Sequence, residues 1–314
     1  MLTYAQSIFL GILQGITELF PVSSLGHTVV LPELLGWHDV VKAQSADESY
    51  FLAFLVGLHV ATALALLVMF WRDWVRIVRG FFATLVKRRI ETSDERLAWL
   101  LIVATIPVGV TGLALEHLFR VIFAKPLAAS VFLFINGLIL AIGERYRRRA
   151  EVRTLALQRK PQEAAVPRGH DERHAEEPLE VEHAQQRLAT LNFREAVVIG
   201  VAQVFALFAG ISRSGITMVA GLVRGLDHED AARFSFLLAT PVILAAGILK
   251  LPDLLGPLAN GVRGQILAGS ACSGVAAYLS VRFLMRYFET RTLTPFAVYC
   301  LLLGAALMVR FSIG

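Results

Sequence analysis

Apolar residues gather in six runs long enough to cross a bilayer, roughly 50–71, 97–115, 121–143, 230–250, 262–284 and 294–313. A spanning helix needs about 20 such residues. Two further apolar stretches, 4–35 and 193–225, are interrupted midway. The first breaks at Pro21-Val22-Ser23-Ser24-Leu25-Gly26-His27 and the second at Ala209-Gly210-Ile211-Ser212-Arg213-Ser214-Gly215. Short halves around a polar, glycine-containing break predict re-entrant hairpins or broken helices rather than full spans. The pattern predicts an all-α polytopic membrane protein with six transmembrane helices and two re-entrant helical hairpins.

Composition agrees. Of 314 residues, 56% are hydrophobic and 18% charged, against about a quarter charged in soluble domains. This argues against a single soluble domain, a disordered chain and a nucleic-acid binder. Charge concentrates in one insert, residues 144–192, with 19 charged positions in 49. The insert reads as a solvated linker, helical in part. Its Arg145-Tyr146-Arg147-Arg148-Arg149 start suits anionic lipid, and His170, His174 and His183 have no metal-like spacing. Glu116 and His117, at a span end, read as interfacial. Cys272 and Cys300 lie in apolar runs and read as free thiols. The N-terminus lacks the basic segment of a cleavable signal.

Loop charge orients the spans. Loops 72–96, 144–192, 224–233 and 282–293 carry 22 Lys/Arg, whereas loops 36–49, 116–125 and 251–263 carry 4. The first set is expected in the cytoplasm. Hairpin 4–35 then enters from outside and hairpin 193–225 from inside. At an offset of 189 residues the two stretches match: Gly11 with Gly200, Gln14 with Gln203, Ser23 with Ser212, Gly26 with Gly215, Thr28 with Thr217. Opposite orientation and matched sequence predict an inverted-topology repeat inside one membrane domain, 1–314: a first repeat about 1–143, the insert, and a second repeat about 193–314. Such repeats bring their broken elements together at the midplane, where helix N-termini suit an anion.

Polar residues at membrane depth mark the candidate site. Glu18 costs about 2.5–3.5 kcal/mol there unless it faces protein or a cavity. It reads as a metal ligand or acid–base group, or as a carboxylate capping the break. Gln14, one turn earlier, shares its face and is either a ligand or an interhelical hydrogen-bonding group. Ser23 and Ser24 suit a helix cap, and His27 lies close enough to Ser24 to pair as base and nucleophile. The alternative for His27 is a structural, hydrogen-bonded ring. Arg213, between Ser212 and Ser214 and before Gly215, fits a bidentate phosphate clamp or a structural partner for Glu18. His59 is a supporting or a packing residue. Thr28, Thr217 and Gln203 carry weaker signals of the helix-packing kind.

The run Leu10-Gly11-Ile12-Leu13-Gln14-Gly15-Ile16-Thr17-Glu18-Leu19-Phe20-Pro21-Val22-Ser23-Ser24-Leu25-Gly26-His27 resembles the first signature of the undecaprenyl-diphosphate phosphatases, the bacitracin-resistance membrane family. Gly210-Ile211-Ser212-Arg213-Ser214-Gly215 resembles the second. Phe234-Ser235-Phe236-Leu237-Leu238-Ala239 and the Leu58-His59…Thr62 region extend the likeness over nearly the whole chain.

The resemblance implies hydrolysis of undecaprenyl diphosphate to the monophosphate, the recycled lipid carrier of cell-wall synthesis, at the outer face of the bacterial plasma membrane. It implies Mg²⁺ or Ca²⁺, with Glu18 as metal ligand or acid–base group and Gln14 in support. Ser24 is then the candidate nucleophile, a metal-activated water being the other option, and His27 its base. Ser23, Ser212, Arg213, Ser214, Gly215 and Thr217 bind the diphosphate, and His59, Thr28 and Gln203 stand behind them. Expected partners are the polyprenyl lipid and the surrounding bilayer, with a homodimer left open. The sequence departs from the family pattern at Ala209 (commonly Pro), Leu25 (commonly Thr), Leu55 (Glu in some members) and Gln14 (Glu in many). A polyprenyl-phosphate flippase using the same anion site is the competing reading.

Overall fold

The computed structural model describes residues 2–44, 50–123, 125–158 and 187–313, with side chains 116–123, 150–158 and 253 excepted. The insert histidines therefore lie outside the described residues, as do the side chains of Glu116 and His117. Every described element is a helix. They are α1 (Tyr4–Thr17), α2 (Ser24–Leu34), α3 (His38–Gln44), α4 (Tyr50–Met69), α5 (Trp71–Lys87), α6 (Ser93–Phe123), α7 (Pro126–Gln158), α8 (Phe193–Val204), α9 (Arg213–Val223), α10 (His228–Leu249), α11 (Leu251–Leu255), α12 (Arg263–Phe288) and α13 (Thr294–Ile313), with short 3₁₀ turns at Phe205–Leu207 and Pro257–Ala259. Six are long and apolar enough to span a membrane: α4, α10, α12, α13 and the 93–115 and 126–149 parts of α6 and α7. They match the six predicted runs to within a few residues.

The broken stretches fold as helix–break–helix units, α1–α2 and α8–α9, whose local chemistry repeats at the 189-residue offset. Thr3 with Gln6 and Asn192 with Glu195 form capping boxes that start α1 and α8. Ser23 and Ser212 cap α2 and α9 by accepting from Gly26 N and Gly215 N. Thr28 and Thr217 hydroxyls bond back to the Ser24 and Arg213 carbonyls. Each unit docks on a helix of the other half. α1 packs on α12, where a Cβ on Gly11 would overlap the Gly269 backbone, and α8 packs on α6, where a Cβ on Gly200 would overlap the Ala104 carbonyl. Small residues bring helix backbones this close where dispersion and hydrogen bonding, not water exclusion, drive association.

One segment differs from expectation. Residues 71–87, counted as basic loop, form an amphipathic helix. Trp71, Val75, Val78, Phe82 and Leu85 are exposed at the helical spacing of one face, while the Asp73 carboxylate turns inward to a two-oxygen clamp on Arg233, at 2.9 and 3.0 Å. The insert starts as a continuation of α7 to Gln158. There Arg147 bonds His228, and Glu144 accepts from His228 Nε2 at 2.8 Å and Leu293 N at 3.3 Å. This part of the basic run thus also ties α7 to α10 and to the turn before α13.

Candidate active site

α1 stops at Thr17 with Glu18 as its C-cap. The chain then turns through Leu19–Val22 and enters α2 at Ser23, whose φ of 69° is rare for a residue with a Cβ. Its hydroxyl explains how this geometry persists. Ser23 Oγ accepts from Gly26 N at 3.3 Å and from Gly210 N, in the other break, at 3.2 Å. Gly210 itself sits at φ 113°, a region open to glycine. The approach is mutual: Gly26 lies against Gly210, and Gly215 against Pro21. Asn136 of α7, fully buried, fastens both breaks. It donates to the Pro21 carbonyl at 2.9 Å and accepts from Ser212 N at 3.0 Å.

This junction concentrates polar chemistry on Glu18. Oε1 accepts from the Arg213 guanidinium at 2.7 Å. Oε2 accepts from the Ser24 hydroxyl at 2.5 Å and the Gln14 amide at 3.0 Å. His59 Nε2 stands 3.6 Å from the same oxygen and receives the second Gln14 amide proton at 3.1 Å. His59 Nδ1 donates to the Leu55 carbonyl at 2.8 Å, which leaves Nε2 as the acceptor. The carboxylate and guanidinium are 8% and 14% exposed at their side chains. Such a pair is tolerated only because further hydrogen bonds occupy the remaining lone pairs.

A cavity of about 550 Å³ opens over this group, within the roughly 300–1,000 Å³ usual for small-molecule sites. Glu18, Ser23, Ser24, His59, Ser212 and Arg213 line its polar end, and apolar residues of α4, α6, α10 and the 205–211 turn line the rest. The Glu18 carboxylate, the Ser24 hydroxyl and the Arg213 fork thus face one space. That arrangement can bind an anion, deprotonate a hydroxyl and spread developing negative charge. Among the described residues no cluster of three or more His, Cys, Asp and Glu forms a metal cage. Mg²⁺ commonly needs only one or two carboxylates, with substrate phosphates and water completing its shell. Glu18, with Gln14 and His59 beside it, meets that minimal requirement.

The sequence profile of the bacitracin resistance protein BacA matches residues 7–306. The chain belongs to the BacA family. It is 58% identical to "Undecaprenyl-diphosphatase 2" of Frankia alni, aligned over 100% of this chain and 99% of the relative. It is 58% identical to "Undecaprenyl-diphosphatase" of Mycolicibacterium paratuberculosis, over 99% and 98% of the two chains. A more distant relative, "Undecaprenyl-diphosphatase 2" of Burkholderia ambifaria, is 42% identical over 98% and 96%.

Against this BacA-family framework, the predicted site residues divide. Gln14, Glu18, Ser24, His59 and Arg213 converge as one hydrogen-bonded group, while Ser23, Ser212 and Gln203 line the cavity. His27 does not join Ser24. Its Nδ1 donates to the Ser23 carbonyl at 2.7 Å, and Nε2 pairs with the Tyr299 hydroxyl at 2.8 Å, with the two rings stacked. The reason is local: the i−4 carbonyl captures the ring, and the Ser24 hydroxyl is already turned to Glu18. Ser214 bonds the Phe20 carbonyl at 3.2 Å, Thr217 bonds Ser235 Oγ at 2.5 Å, and Gly215 packs on Leu140 and Pro21. These three support the α9 terminus from behind, and Thr28 does the same for α2. Two residues escaped the sequence reading. Asn136 carried a usable signal, a carboxamide in the middle of an apolar span. Tyr299 carried none, since a Tyr in a span is unexceptional.

Proposed function

We propose that this chain hydrolyses undecaprenyl diphosphate to undecaprenyl phosphate and inorganic phosphate, recycling the lipid carrier of cell-wall synthesis and conferring bacitracin resistance. The observation that carries the mechanism is the convergence of Ser24 and Arg213 on the two oxygens of Glu18 at the end of an apolar cavity. The terminal phosphate enters at the polar end, and the Arg213 fork takes two of its oxygens. Glu18 accepts the Ser24 proton as Oγ attacks the terminal phosphorus. The P–O bond to the bridging oxygen breaks, and undecaprenyl phosphate leaves. Water then attacks the phosphoserine, the bond from phosphorus to Ser24 Oγ breaks, Glu18 returns its proton to that oxygen, and inorganic phosphate departs as the dihydrogen ion carrying both protons of the water. Arg213 gains most where charge spreads over the phosphoryl oxygens. His27, held by Ser23 and Tyr299, positions the first turn of α2 in this scheme rather than accepting the Ser24 proton.

Glu18, with Gln14 and His59 alongside, would hold a divalent cation, Mg²⁺ or Ca²⁺, which would supply charge neutralisation at the phosphate oxygens. The protein is multi-pass, its place is the plasma membrane as for the family's lipid substrate, and the charge of segments 72–96 and 144–192 supports an orientation with both in the cytoplasm. Leu52, Leu113 and Lys250, toward the ends of α4, α6 and α10 opposite those segments, line the cavity, which supports an active site that faces outward. The α1–α2 and α8–α9 units are the re-entrant hairpins of an inverted repeat.

The test is phosphate release from undecaprenyl diphosphate by purified protein in detergent, with and without EDTA, beside Ser24→Ala. Metal-dependent release by the parent and loss of turnover with retained lipid binding in Ser24→Ala is the expected outcome. Undiminished Ser24→Ala turnover removes the serine nucleophile in favour of water. Lipid binding without any release by the parent chain returns the flippase reading.

A further inference from the structure

Helix α5 joins two spans, and its contacts fix its height in the membrane. Span α4 ends at Met69 and α5 begins at Trp71. The middle of α5 abuts the start of the next span, since a Cβ on Gly80 would touch the Asp94–Glu95 backbone. Its last turn is at the same level, where Lys87 Nζ reaches Glu95 at 3.4 Å. Start, middle and end of α5 thus sit level with span ends. A helix of 17 residues, about 25 Å long, does so only by lying along the membrane surface.

Three rows run along this helix. Asp73, Ile77, Gly80 and Thr84 are buried against the protein. They are held there by the Asp73–Arg233 pair and by Trp99 Nε1, which donates to Thr84 Oγ1 at 3.0 Å. Trp71, Val75, Val78, Phe82 and Leu85 lie on the opposite side, exposed. Arg72, Arg76 and Arg79 recur at i, i+4 and i+7 and form a third row between the other two. Arg72 and Arg79 are exposed and Arg76 is half-buried. Neighbouring acids do not neutralise this row. Glu91 is taken by Lys87 at 3.2 Å and by Arg89 at 2.8 Å, and Asp73 is turned inward. Arg72, Arg76 and Arg79 make no ion pair among the described residues. The Arg72 guanidinium lies over the Trp71 ring, 5.6 Å from its centroid.

We infer that this flank of α5 is a binding surface for anionic phospholipid, with the apolar row against acyl chains and the arginine row on headgroup phosphates. On the orientation proposed above, the leaflet is the cytoplasmic one. The two rows select together. An apolar face alone takes zwitterionic and anionic lipid equally, whereas three uncompensated cations beside it favour a headgroup of net negative charge. The buried row keeps the surface preformed, because Asp73 and Thr84 fix which way the helix faces. Trp71, an aromatic ring at the edge of a span, suits the headgroup level.

The test reconstitutes the full chain into bilayers of phosphatidylcholine, phosphatidylglycerol and their mixtures, with brominated acyl chains on one lipid or the other. The quenching of tryptophan fluorescence that disappears in Trp71→Phe reports the lipid beside α5. Its dependence on composition gives the affinity for phosphatidylglycerol relative to phosphatidylcholine at that place. A preference for phosphatidylglycerol of about fivefold or more is expected, the worth of roughly one arginine at an anionic surface. It should fall toward one in Arg72→Gln/Arg76→Gln/Arg79→Gln and at high salt, and persist when the same three positions are changed to Lys. Arg145→Gln/Arg149→Gln, on α7, is the control and should leave the ratio within about twofold. A parent ratio near one overturns the inference, and so does a preference that the glutamine variant keeps. Should that variant lose its helical circular dichroism, the parent's salt dependence decides: a preference unchanged by high salt overturns the surface.

Discussion

Replacing Arg213 by Lys separates charge from geometry at the centre of the site. Arg213 presents a fork of donors of which one already reaches Glu18 Oε1 at 2.7 Å, leaving others for a phosphate. Lysine keeps the positive charge but offers one compact ammonium, which cannot hold the carboxylate and grip two phosphate oxygens together. Losing the donors that act on transition-state charge is worth roughly 2.7–4 kcal/mol, or about 10²–10³ in turnover. The Glu18 side chain is 8% exposed, so Arg213→Ala strands a buried carboxylate and costs about 3–5 kcal/mol of stability. Lys, which retains a countercharge, should cost far less. Phosphate release and thermal unfolding in the same detergent separate the effects. The Lys variant should melt near the parent and turn over at about 1% or less. The Arg213→Ala/Glu18→Gln double variant should recover stability relative to Arg213→Ala without recovering activity. A Lys variant within threefold of parental kcat/KM would refute the fork, leaving Arg213 as a countercharge alone.

Asn136→Leu removes the donor to Pro21 O and the acceptor for Ser212 N in a fully buried setting, so a loss of about 2–5 kcal/mol is expected in chemical unfolding. Activity should fall with it, because both breaks lose their common strut. Gly11→Val and Gly200→Val push side chains into the Gly269 and Ala104 backbones; each should lower the melting temperature sharply, at a cost of about 1–3 kcal/mol or more. Tyr299→Phe leaves His27 Nε2 without its hydroxyl partner, so about 0.5–1.5 kcal/mol of stability should go, with turnover reduced less than tenfold. A Tyr299→Phe pH–rate profile shifted in its basic or acidic limb would instead place His27 in proton transfer. EDTA should abolish turnover, and Mg²⁺ or Ca²⁺ should restore it; full activity in EDTA would remove the cation from the scheme.

Much of this architecture was readable because the bilayer imposes a strong signal. Spans of 20 or so apolar residues and breaks such as Pro21–His27 are legible from hydropathy alone. Glu18 and Arg213 were legible because each is expensive at membrane depth without a purpose, and Ser24 through its place in the first signature. What was lost turned on side-chain direction. Whether His27 faces Ser24 or Tyr299 depends on a rotamer and on a residue 272 positions away. Ser214 sits within the second signature and Thr217 just beyond it, yet both point behind the site, which spacing does not disclose. Helix α5 was hidden by its arginines: counting Arg72, Arg76 and Arg79 as loop charge obscured the apolar stripe between them.

The 189-residue correspondence also explains why the site is asymmetric although its scaffold repeats. Ser24 and Arg213 are equivalent positions, each the first residue of the helix after its break. Their caps, Ser23 and Ser212, each hold the glycine three residues on, and Asn136 binds the first break through the Pro21 carbonyl and the second through Ser212 N. Matched backbones thus deliver two different side chains to one place, the hydroxyl to Glu18 Oε2 at 2.5 Å and the guanidinium to Oε1 at 2.7 Å. The position equivalent to Glu18 is Leu207, so only the first unit supplies a carboxylate. One carboxylate between a hydroxyl and a cation can accept a proton from the first while held by the second. A second carboxylate at 207 would add a repelling charge beside the phosphate path. Leu207→Glu should therefore weaken diphosphate binding with little change in melting temperature, and an unchanged affinity would show that position 207 lies outside the field of the bound phosphates.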